Sequence, residues 1–387
     1  MKKKLFSLVM LYVVVFTSAQ QDFYALTGKN GPNIVFSDFR VLDVERGISG
    51  ELIFGTESTP KVFSKVFNRT VTEEKTGFNH SQTAAMASLA YDELNGKLIY
   101  IPMFSSNVYV LDQKSRDITL IESNVINSKS CDIGSHITRM TTGYDGNVYA
   151  MSNSGSQFLK ISGQGGKYTV TDLGSVKNDS SNGENSLLAM NKGFGGDMVV
   201  DADNNFYIFS ASGNVFKISP QFLNAKFIGK ISGLPENYSL NGAAVNAKGN
   251  VVVASAKGEG LYELNLGDLQ AKPLAGNLNI HIYDLASKYF LNDKLNAVSN
   301  GLADIYPTKV EEDFIHVRVD DQKITGNVSV EIYDFAGIKV LQKTLQSIGK
   351  NSTQKIELNN LKSGIYIVSL LDSDKKIILN KKIAVNR

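Results

Sequence analysis

The chain has 387 residues, of which 42% are hydrophobic and 20% are charged, so it has the composition of a folded protein and the length of two domains. Its formal charge is only +2, with 40 basic and 38 acidic residues, which excludes an overall field that draws it to nucleic acid or to an anionic membrane. Cys131 is the only cysteine, so an intrachain disulfide and a cysteine-rich metal site are excluded, and we expect Cys131 to be a small core residue.

The first 20 residues have the three parts of an export signal. A basic start at Lys2 to Lys4 precedes an apolar run from Leu5 to Phe16, and small residues end the segment at Ala19. The run of about 12 residues is too short to span a bilayer, and no cysteine follows it to receive a lipid. We therefore predict a signal peptide at residues 1–20, Sec export to the periplasm and no transmembrane anchor in the mature protein.

A short strand pattern recurs between residues 22 and 293. An aromatic residue with apolar and small neighbours returns at intervals of roughly 40 to 60 residues, about the length of four short antiparallel strands. The six copies are centred on Tyr24, Phe63, Tyr109, Phe158, Phe216 and Tyr262. Upstream of most copies, a turn of Asp, Asn and Gly leads into an alternating strand, as in DELNGKLIYIP, GYDGNVYAMS, DADNNFYIFS and NAKGNVVVAS, which indicates hairpins.

This pattern resembles the blades of β-propellers of the NHL and gluconolactonase-like superfamilies, a resemblance of architecture that says little about function. Six copies predict an all-β fold with a six-bladed β-propeller over residues 21–293, and a β-sandwich or an open array is the alternative. Only NIHIYDLAS and KYFLND remain after the fifth complete set, whereas residues 22–37 have the character of third and fourth strands. We therefore predict that the N-terminal strands pair with residues 279–293 and close the ring.

The rhythm changes near Ala303, after a polar segment at residues 294–302 that we interpret as a linker. Stretches such as NVSVEIYDFAGIKVLQKTL and LNNLKSGIYIVSL alternate apolar and polar residues and are separated by Gly or Asn turns. This pattern predicts about seven short strands in a small C-terminal β-sandwich over residues 303–387.

The C-terminal segment resembles the type A sorting domain of the type IX secretion system. The motif residues are Tyr306, Pro307, Gly337, Gly364 and Tyr366. The opening motif departs from the family pattern Tyr-Pro-Asn-Pro, because Thr308 and Lys309 follow the first proline. The resemblance implies that the outer-membrane secretion machinery of a Gram-negative bacterium recognises the domain, and that the protein is secreted or held on the outer cell surface, often after removal of the domain. An ordinary adhesive sandwich is the alternative.

No nucleotide loop, zinc helix, EF-hand loop or serine nucleophile elbow occurs in a suitable context. Propeller ligands usually sit at one mouth of the central channel, on the loops that lead into the innermost strands. The candidate ligand-binding residues at this mouth are His80, His136, Arg139, Asp197, Asn241 and His281. Converging imidazoles would suit a metal or acid–base chemistry, whereas a single histidine more often bonds a carbonyl in its own blade.

A gluconolactonase-like site would need an early Glu, and an Asn and an Asp from separate blades, around a divalent ion. Asp197 and Asn241 suit two of these places, but Phe39, Arg40 and Val41 stand where the Glu would be. The ligand set for Ca²⁺ is therefore incomplete, and we predict no cofactor and no catalytic residue. The favoured hypothesis is non-catalytic binding of a glycan, a peptide or a surface partner, and the alternative is a metal-dependent lactonase or hydrolase.

Overall fold

The structure is a computed structural model of the chain. It describes residues 23–386 except 29–35, 45, 56–60, 72–85, 103–104, 130, 164–165, 189–194, 220–221, 275–277, 279, 292–302, 311, 320–326, 335 and 346–351. The predicted signal peptide, the linker and His80 lie outside the described residues. The described part consists almost entirely of strands and turns, so the predicted all-β class is confirmed.

The described residues before position 292 contain twenty-three strands. In chain order they are β1 (Phe23–Gly28), β2 (Phe36–Asp43), β3 (Ile48–Phe54), β4 (Val62–Ser64), β5 (Arg69–Val71), β6 (Met86–Asp92), β7 (Lys97–Pro102), β8 (Val108–Asp112), β9 (Ile118–Ile121), β10 (Ile137–Thr142), β11 (Val148–Ser152), β12 (Phe158–Ser162), β13 (Thr169–Asp172), β14 (Lys177–Asn178), β15 (Asp197–Val200), β16 (Phe206–Phe209), β17 (Asn214–Ile218), β18 (Asn224–Lys230), β19 (Leu240–Val245), β20 (Val251–Ser255), β21 (Leu261–Asn265), β22 (Gln270–Pro273) and β23 (His281–Ala286).

These strands form five sheets around one channel. Four sheets are built from consecutive strands, β6–β9, β10–β13, β15–β18 and β19–β22, and the fifth, the closing sheet, has the order β23-β1-β2-β3. The innermost strands β6, β10, β15, β19 and β23 pack in sequence, and β23 packs against β6. The described residues therefore form a closed, propeller-like ring of five sheets, and the predicted count of six blades is wrong.

Apolar clusters between neighbouring sheets hold the ring together. Where the closing sheet meets the β6–β9 sheet, the rings of Phe39 and Tyr100 lie 5.0 Å apart, edge to face. On the other side of the closing sheet, Phe23 packs in one cluster with Val252 of β20. Three further clusters fill the remaining contacts between neighbouring sheets. Each sheet packs against a neighbouring sheet on both of its faces, so both faces are buried and most of their side chains are apolar.

The turns predicted from sequence join the first and second strands of four sheets. Asp92 pairs with Lys97 and Thr142 with Val148, while the corresponding turns of the next two sheets join β15 to β16 and β19 to β20. The glycines of two of these turns have positive φ, +62° at Gly96 and +79° at Gly146. These four hairpins are confirmed, because a turn with Gly or Asn at positive φ is decided by local backbone chemistry.

The predicted closure of the ring is confirmed in its main point and wrong in detail. Strand β1 pairs antiparallel with β23, with Tyr24 opposite Ala286 and Ala25 opposite Leu285. However, β1 is the second strand of the closing sheet, and β2 and β3 are its third and fourth strands. KYFLND supplies no second strand, because Leu291 forms an isolated bridge with Asp201 instead.

The sixth copy of the aromatic pattern is not a blade strand. Phe63 lies in β4, which pairs with β5 and runs parallel to β9 at the outer edge of the β6–β9 sheet. Tyr24 lies in a second strand, and the other four aromatics lie in third strands. The pattern of an aromatic among apolar residues is therefore shared by strands in different positions.

Cys131 also departs from expectation, since it is exposed and not part of the core.

The described residues after position 302 contain eight strands. They are β24 (Ala303–Tyr306), β25 (Lys309–Val310), β26 (Phe314–Val319), β27 (Val328–Tyr333), β28 (Lys339–Leu345), β29 (Ser352–Glu357), β30 (Gly364–Leu371) and β31 (Ile377–Val385). They form a three-stranded sheet, β24-β26-β29, and a five-stranded sheet, β25-β31-β30-β27-β28. Both sheets contribute to one apolar core, in which Ile305 and Val317 meet Val330, Val368 and Ile383.

Candidate functional site

The innermost strands share a backbone irregularity on the channel side. In four of the five sheets the pairing between the first and second strands skips one residue of the inner strand. The skipped residues are Ala87, Thr138, Asn241 and Tyr283. In the remaining sheet β15 begins directly after Gly196, whose φ is +90°. Such β-bulges redirect the side chains that follow them.

One residue per inner strand follows the irregularity, and we call these five the channel layer. They are Ser88, Arg139, Asp197, Gly242 and Asp284, and their partners on the second strands are Ile101, Met151, Phe209, Ala254 and Leu26. The four that have side chains are buried, with exposed fractions of 0 to 3%. At Gly242 an added Cβ atom would lie 2.9 Å from Leu285 Cγ, so a larger residue does not fit.

The two carboxylates of the channel layer bind backbone N–H groups of the inner strands. Asp197 Oδ2 accepts from Ala243 N at 2.5 Å, and Asp197 Oδ1 accepts from Met198 N at 2.7 Å. Asp284 Oδ2 accepts from Leu89 N at 3.2 Å. An inner strand has a neighbouring strand on one edge only, so its other N–H groups face the channel and need acceptors. The carboxylates thus join strands of neighbouring sheets.

Burial raises the pKa of both carboxyl groups well above their usual range, and for Asp284 the negative charge of Asp197 raises it further. Two adjacent carboxyls in a dry site share a proton, because like charges cannot both be held there. Asp197 has three backbone donors and lies near Arg139, whereas Asp284 has two backbone donors and no such cation. We infer that the negative charge stays on Asp197 and that the shared proton favours Asp284.

Arg139 supplies the positive charge of the layer. Its Nη1 donates to the carbonyls of Ser152 and Asn153 at 3.3 and 3.2 Å, and its Nη2 donates to Gly195 O at 2.8 Å. Complete burial lowers its pKa to about 10, and the charge of Asp197 opposes that decrease, so the guanidinium stays charged near neutral pH. At Gly196 a Cβ atom would lie 3.2 Å from the guanidinium. The positive charge of Arg139 therefore offsets the negative charge of Asp197 within the channel layer.

The channel layer is closed to a substrate among the described residues. Three of its polar atoms have no hydrogen-bond partner there, namely Ser88 Oγ, Arg139 Nε and Asp284 Oδ1. Beyond the layer, next to Met140, Ala243 and Leu285, the channel holds a cavity of ≈ 10 Å³, which is enough for about one water molecule. The arrangement can hold charge and protons inside the ring, but it leaves no room for an organic ligand.

The other predicted site residues bind their own surroundings. His136 Nε2 lies 3.0 Å from Lys129 O, and His281 Nδ1 lies 2.7 Å from Ala256 O in the neighbouring sheet. Asn241 is a bulged residue whose Oδ1 accepts from Ser239 Oγ at 2.9 Å. Their role in binding a ligand stays a prediction.

Asp284 and Ser88 were missed by the sequence analysis. NIHIYD was recognised as a strand, but a single Asp or Ser in an alternating strand carries no signal of its own. Within the described residues, no group of three or more His, Cys, Asp or Glu side chains could hold a metal ion. The same residues include no helix that is long and apolar enough to cross a membrane.

The residues of the sorting-domain motif occupy turns and strand ends. Tyr306 ends β24 and is joined to Pro307 by a cis peptide bond. Gly337, at φ +80°, lies in the turn between β27 and β28. Gly364 begins β30, and Tyr366 in the same strand donates its hydroxyl to Lys362 O at 2.9 Å.

Comparison with known proteins assigns the C-terminal part. Residues 304–386 match the family described as secretion system C-terminal sorting domain. No curated protein matches the chain at a significant level. The chain is similar to the solved structure of PorZ, a surface component of the type-IX secretion system of Porphyromonas gingivalis, with 14% identity, a TM-score of 0.31 and coverage of 93% of this chain and 51% of that chain.

Two further solved structures are similar. A structural genomics protein of Bacteroides thetaiotaomicron is 16% identical, with a TM-score of 0.40 and coverage of 68% of this chain and 70% of that chain. Virginiamycin B lyase of Staphylococcus aureus is 10% identical, with a TM-score of 0.33 and coverage of 95% and 96%. The chain spans about half the length of PorZ, and none of these values transfers an activity to it. Residues 304–386 are a type IX secretion C-terminal sorting domain, and they follow a propeller-like ring in the same chain.

Proposed function

We propose that the chain is a non-catalytic binding protein that a Gram-negative bacterium exports through the type IX secretion system to its surface or medium. In this proposal residues 1–20 direct Sec export to the periplasm, residues 21–293 form the binding ring, residues 294–302 link the domains and residues 303–387 direct passage across the outer membrane. The observation that carries the proposal is the sorting-domain match over residues 304–386.

The closed channel layer supports binding over catalysis. A general acid or base must come within hydrogen-bond reach of a substrate. Asp197 and Asp284 are fully buried and bind backbone N–H groups of neighbouring strands. These carboxylates hold strands of the ring together and do not face a ligand. A partner would therefore bind outside the layer, at the channel mouth near His136, Asn241 and His281. A glycan, a peptide or another surface molecule would suit such a position.

The export role is tested by deleting residues 303–387 in the native host. The truncated chain should keep a folded ring, accumulate in the periplasm and disappear from the surface and medium fractions. A matched control is deletion of residues 23–28, which removes β1 from the closing sheet but leaves the sorting domain intact. Export of the first truncation at the wild-type level would contradict the proposal.

The binding role is tested by probing a glycan array with the full chain, together with a lactone-hydrolysis assay in Ca²⁺ and in EDTA. The proposal expects saturable binding of one ligand class and no turnover. His281→Ala should weaken that binding, while Lys248→Ala, in the turn between β19 and β20 at the far end of the inner strands, should not. Turnover that requires Ca²⁺ would favour the lactonase alternative.

A further inference from the structure

The three-stranded sheet of the sorting domain has a second buried face. Along β24 and β26, Ile305 and Val317 point into the core of the domain. The alternate residues Asp304, Tyr306, Phe314 and His316 lie on the opposite face, and we call these four the docking face. They do not belong to the apolar core of the domain, yet no more than 9% of each is exposed. The ring covers them.

The ring contributes the turn between β10 and β11. Tyr144 donates its hydroxyl to Asp304 Oδ2 at 3.2 Å, and its ring centroid lies 4.5 Å from that of Tyr306. Asn147 Nδ2 donates to Glu312 Oε1 at 3.1 Å, and Lys160 of β12 forms an ion pair with the same carboxylate. The contact therefore combines aromatic rings, tilted at 36° to each other, with paired charges.

His316 lies at the centre of this contact, between two aromatic rings and the backbone of the ring turn at Asp145. Its ring centroid is 5.4 Å from that of Tyr306 and 5.0 Å from that of Phe314. On the ring side it faces Gly146, where an added Cβ atom would lie 2.8 Å from His316 Nε2. Neither ring nitrogen has a hydrogen-bond partner among the described residues, and the side chain is fully buried.

The charged groups around His316 are already paired or repel a proton. Lys355 of β29 is opposite His316 in the sheet, with its Nζ 4.1 Å from the centroid of Phe314. Asp304 pairs with Lys381, and Glu312 pairs with Lys160. On the ring side, the Asp145 carboxylate accepts from Asn147 and from the Tyr149 hydroxyl. On its own strand, Arg318 is the next residue on the same face. Among the described residues, these carboxylates are therefore engaged with other partners and not with the imidazole.

Burial lowers the pKa of His316 to about 4; the backbone of Asp145 opposes this decrease and the charge of Lys355 adds to it. The neutral imidazole is therefore tolerated in the contact and the charged imidazolium is not. We propose that the sorting domain docks reversibly on the β10–β11 turn of its own ring through the docking face, and that protonation of His316 releases it.

The sign and size of the effect follow from linkage. When the domain is undocked, His316 is exposed on the sheet and binds a proton near the ordinary value of about 6.5. The undocked state then binds more protons than the docked state between pH 6.5 and 4, so acid favours release. Over this interval docking weakens progressively, by about 30-fold at pH 5 relative to neutral pH.

The test measures energy transfer between two dyes on the full chain. One dye is attached to Cys131, which is exposed and the only native cysteine, and the other to Thr344→Cys on an exposed strand of the sorting domain. We expect high transfer at pH 7.5 and loss of transfer on acidification to pH 4.5, while circular dichroism shows that the strands remain folded. Constant transfer over this range would overturn the proposal.

Variants assign the effect to His316. His316→Phe and His316→Gln, two replacements of different shape that do not titrate, should lose the pH dependence, whether the domain stays docked or is released at every pH. Glu236→Gln, which removes an exposed carboxylate of the ring, should behave like the wild type. If either His316 variant retained the wild-type acid transition, carboxylate protonation would be the cause and the assignment would be wrong.

Discussion

The channel layer and the docking face both bury ionisable groups, but they hold them in opposite ways. In the channel layer, Arg139 and Asp197 balance each other's charge, and the carboxylates bind backbone donors of neighbouring strands. In the docking face, His316 lies between aromatic rings, and burial holds its imidazole in the neutral form. A buried charge is therefore built into the ring, whereas the domain contact depends on a group that stays neutral.

The difference predicts opposite responses to pH. The pKa of Asp197 and Asp284 is raised in the folded state, so the folded ring binds more protons than the unfolded chain, and its stability falls as the pH rises above about 4. The pKa of His316 is lowered, so the stability of the docked state is present at neutral pH and is lost as the pH falls from about 6.5 through 4. Mild acid should thus loosen the domain contact while it leaves the ring intact.

The largest expected effect comes from removing the buried cation of the ring. Arg139→Met leaves the Asp197 carboxylate without its counter-charge, which should lower the free energy of unfolding by about 3–5 kcal/mol. The matched control is Arg116→Met, because Arg116 forms a more exposed pair with Glu51 and should contribute about 1 kcal/mol or less. Urea titrations followed by circular dichroism measure both. Equal losses would mean that burial of the pair does not matter.

The two aspartates should differ when each is changed to asparagine. Asp197→Asn leaves Arg139 unbalanced and should cost about 3 kcal/mol, whereas Asp284→Asn replaces a group that already carries the shared proton and should cost about 1 kcal/mol. Asp284→Asn should also reduce the loss of ring stability as the pH rises above about 4. Denaturation curves across this range provide the measurement. If Asp197→Asn cost less stability than Asp284→Asn, the negative charge would lie on Asp284, and its assignment to Asp197 would be wrong.

A pair of glycines separates docking from backbone strain. Gly146 and Gly166 have similar φ angles of +79° and +74°, but a Cβ atom at Gly146 meets Leu94 and His316, whereas at Gly166 it meets nothing within 4 Å. Alanine should cost about 1 kcal/mol of strain at either site. Only Gly146→Ala should in addition release the sorting domain at pH 7.5, as seen by small-angle scattering. Release in both variants, or in neither, would contradict the role of the Gly146 contact.

The smallest expected effect is that of metal removal. The described residues hold no cluster of ligands for a metal ion, and the charges of the channel layer balance without one. An ion that binds only the native state raises the melting midpoint by mass action. Since we expect no such ion to bind, the midpoint should be the same in EDTA and in millimolar Ca²⁺. A higher midpoint in Ca²⁺ would point to a site formed outside the described residues.

The sequence predicted the features that local chemistry decides. Turns such as GYDGNVYAMS identified the hairpins of four sheets, and the motif around Tyr306 and Tyr366 identified the sorting domain. The number of sheets was mispredicted, because the aromatic pattern around Phe63 occurs in an added hairpin as readily as in a blade strand. The periodicity of the sequence indicates where strands occur, whereas only the hydrogen-bonded pairing shows to which sheet each strand belongs.

Within the site, Arg139 and Asp197 were predicted near the innermost strands, but Ser88 and Asp284 were not. A bulge adds one residue to an inner strand and changes which side chain faces the channel, so alternation in the sequence does not reveal it. His316 likewise lies in an ordinary alternating strand, FIHVRV. Its burial results from the ring turn placed against it.

The sequence by itself determined the class of fold, the hairpin turns and the sorting domain, because each depends on residues that are close in the chain or on a specific motif. It also predicted that the N-terminal strand pairs with the end of the ring, because strands were left over at both ends of the repeat. Only the tertiary structure decided the number of sheets, the meeting of Arg139, Asp197 and Asp284 in one layer, and the contact of His316 with Gly146. These features join residues far apart in the chain, and they depend on strand register and on packing between sheets, which short-range sequence patterns do not record.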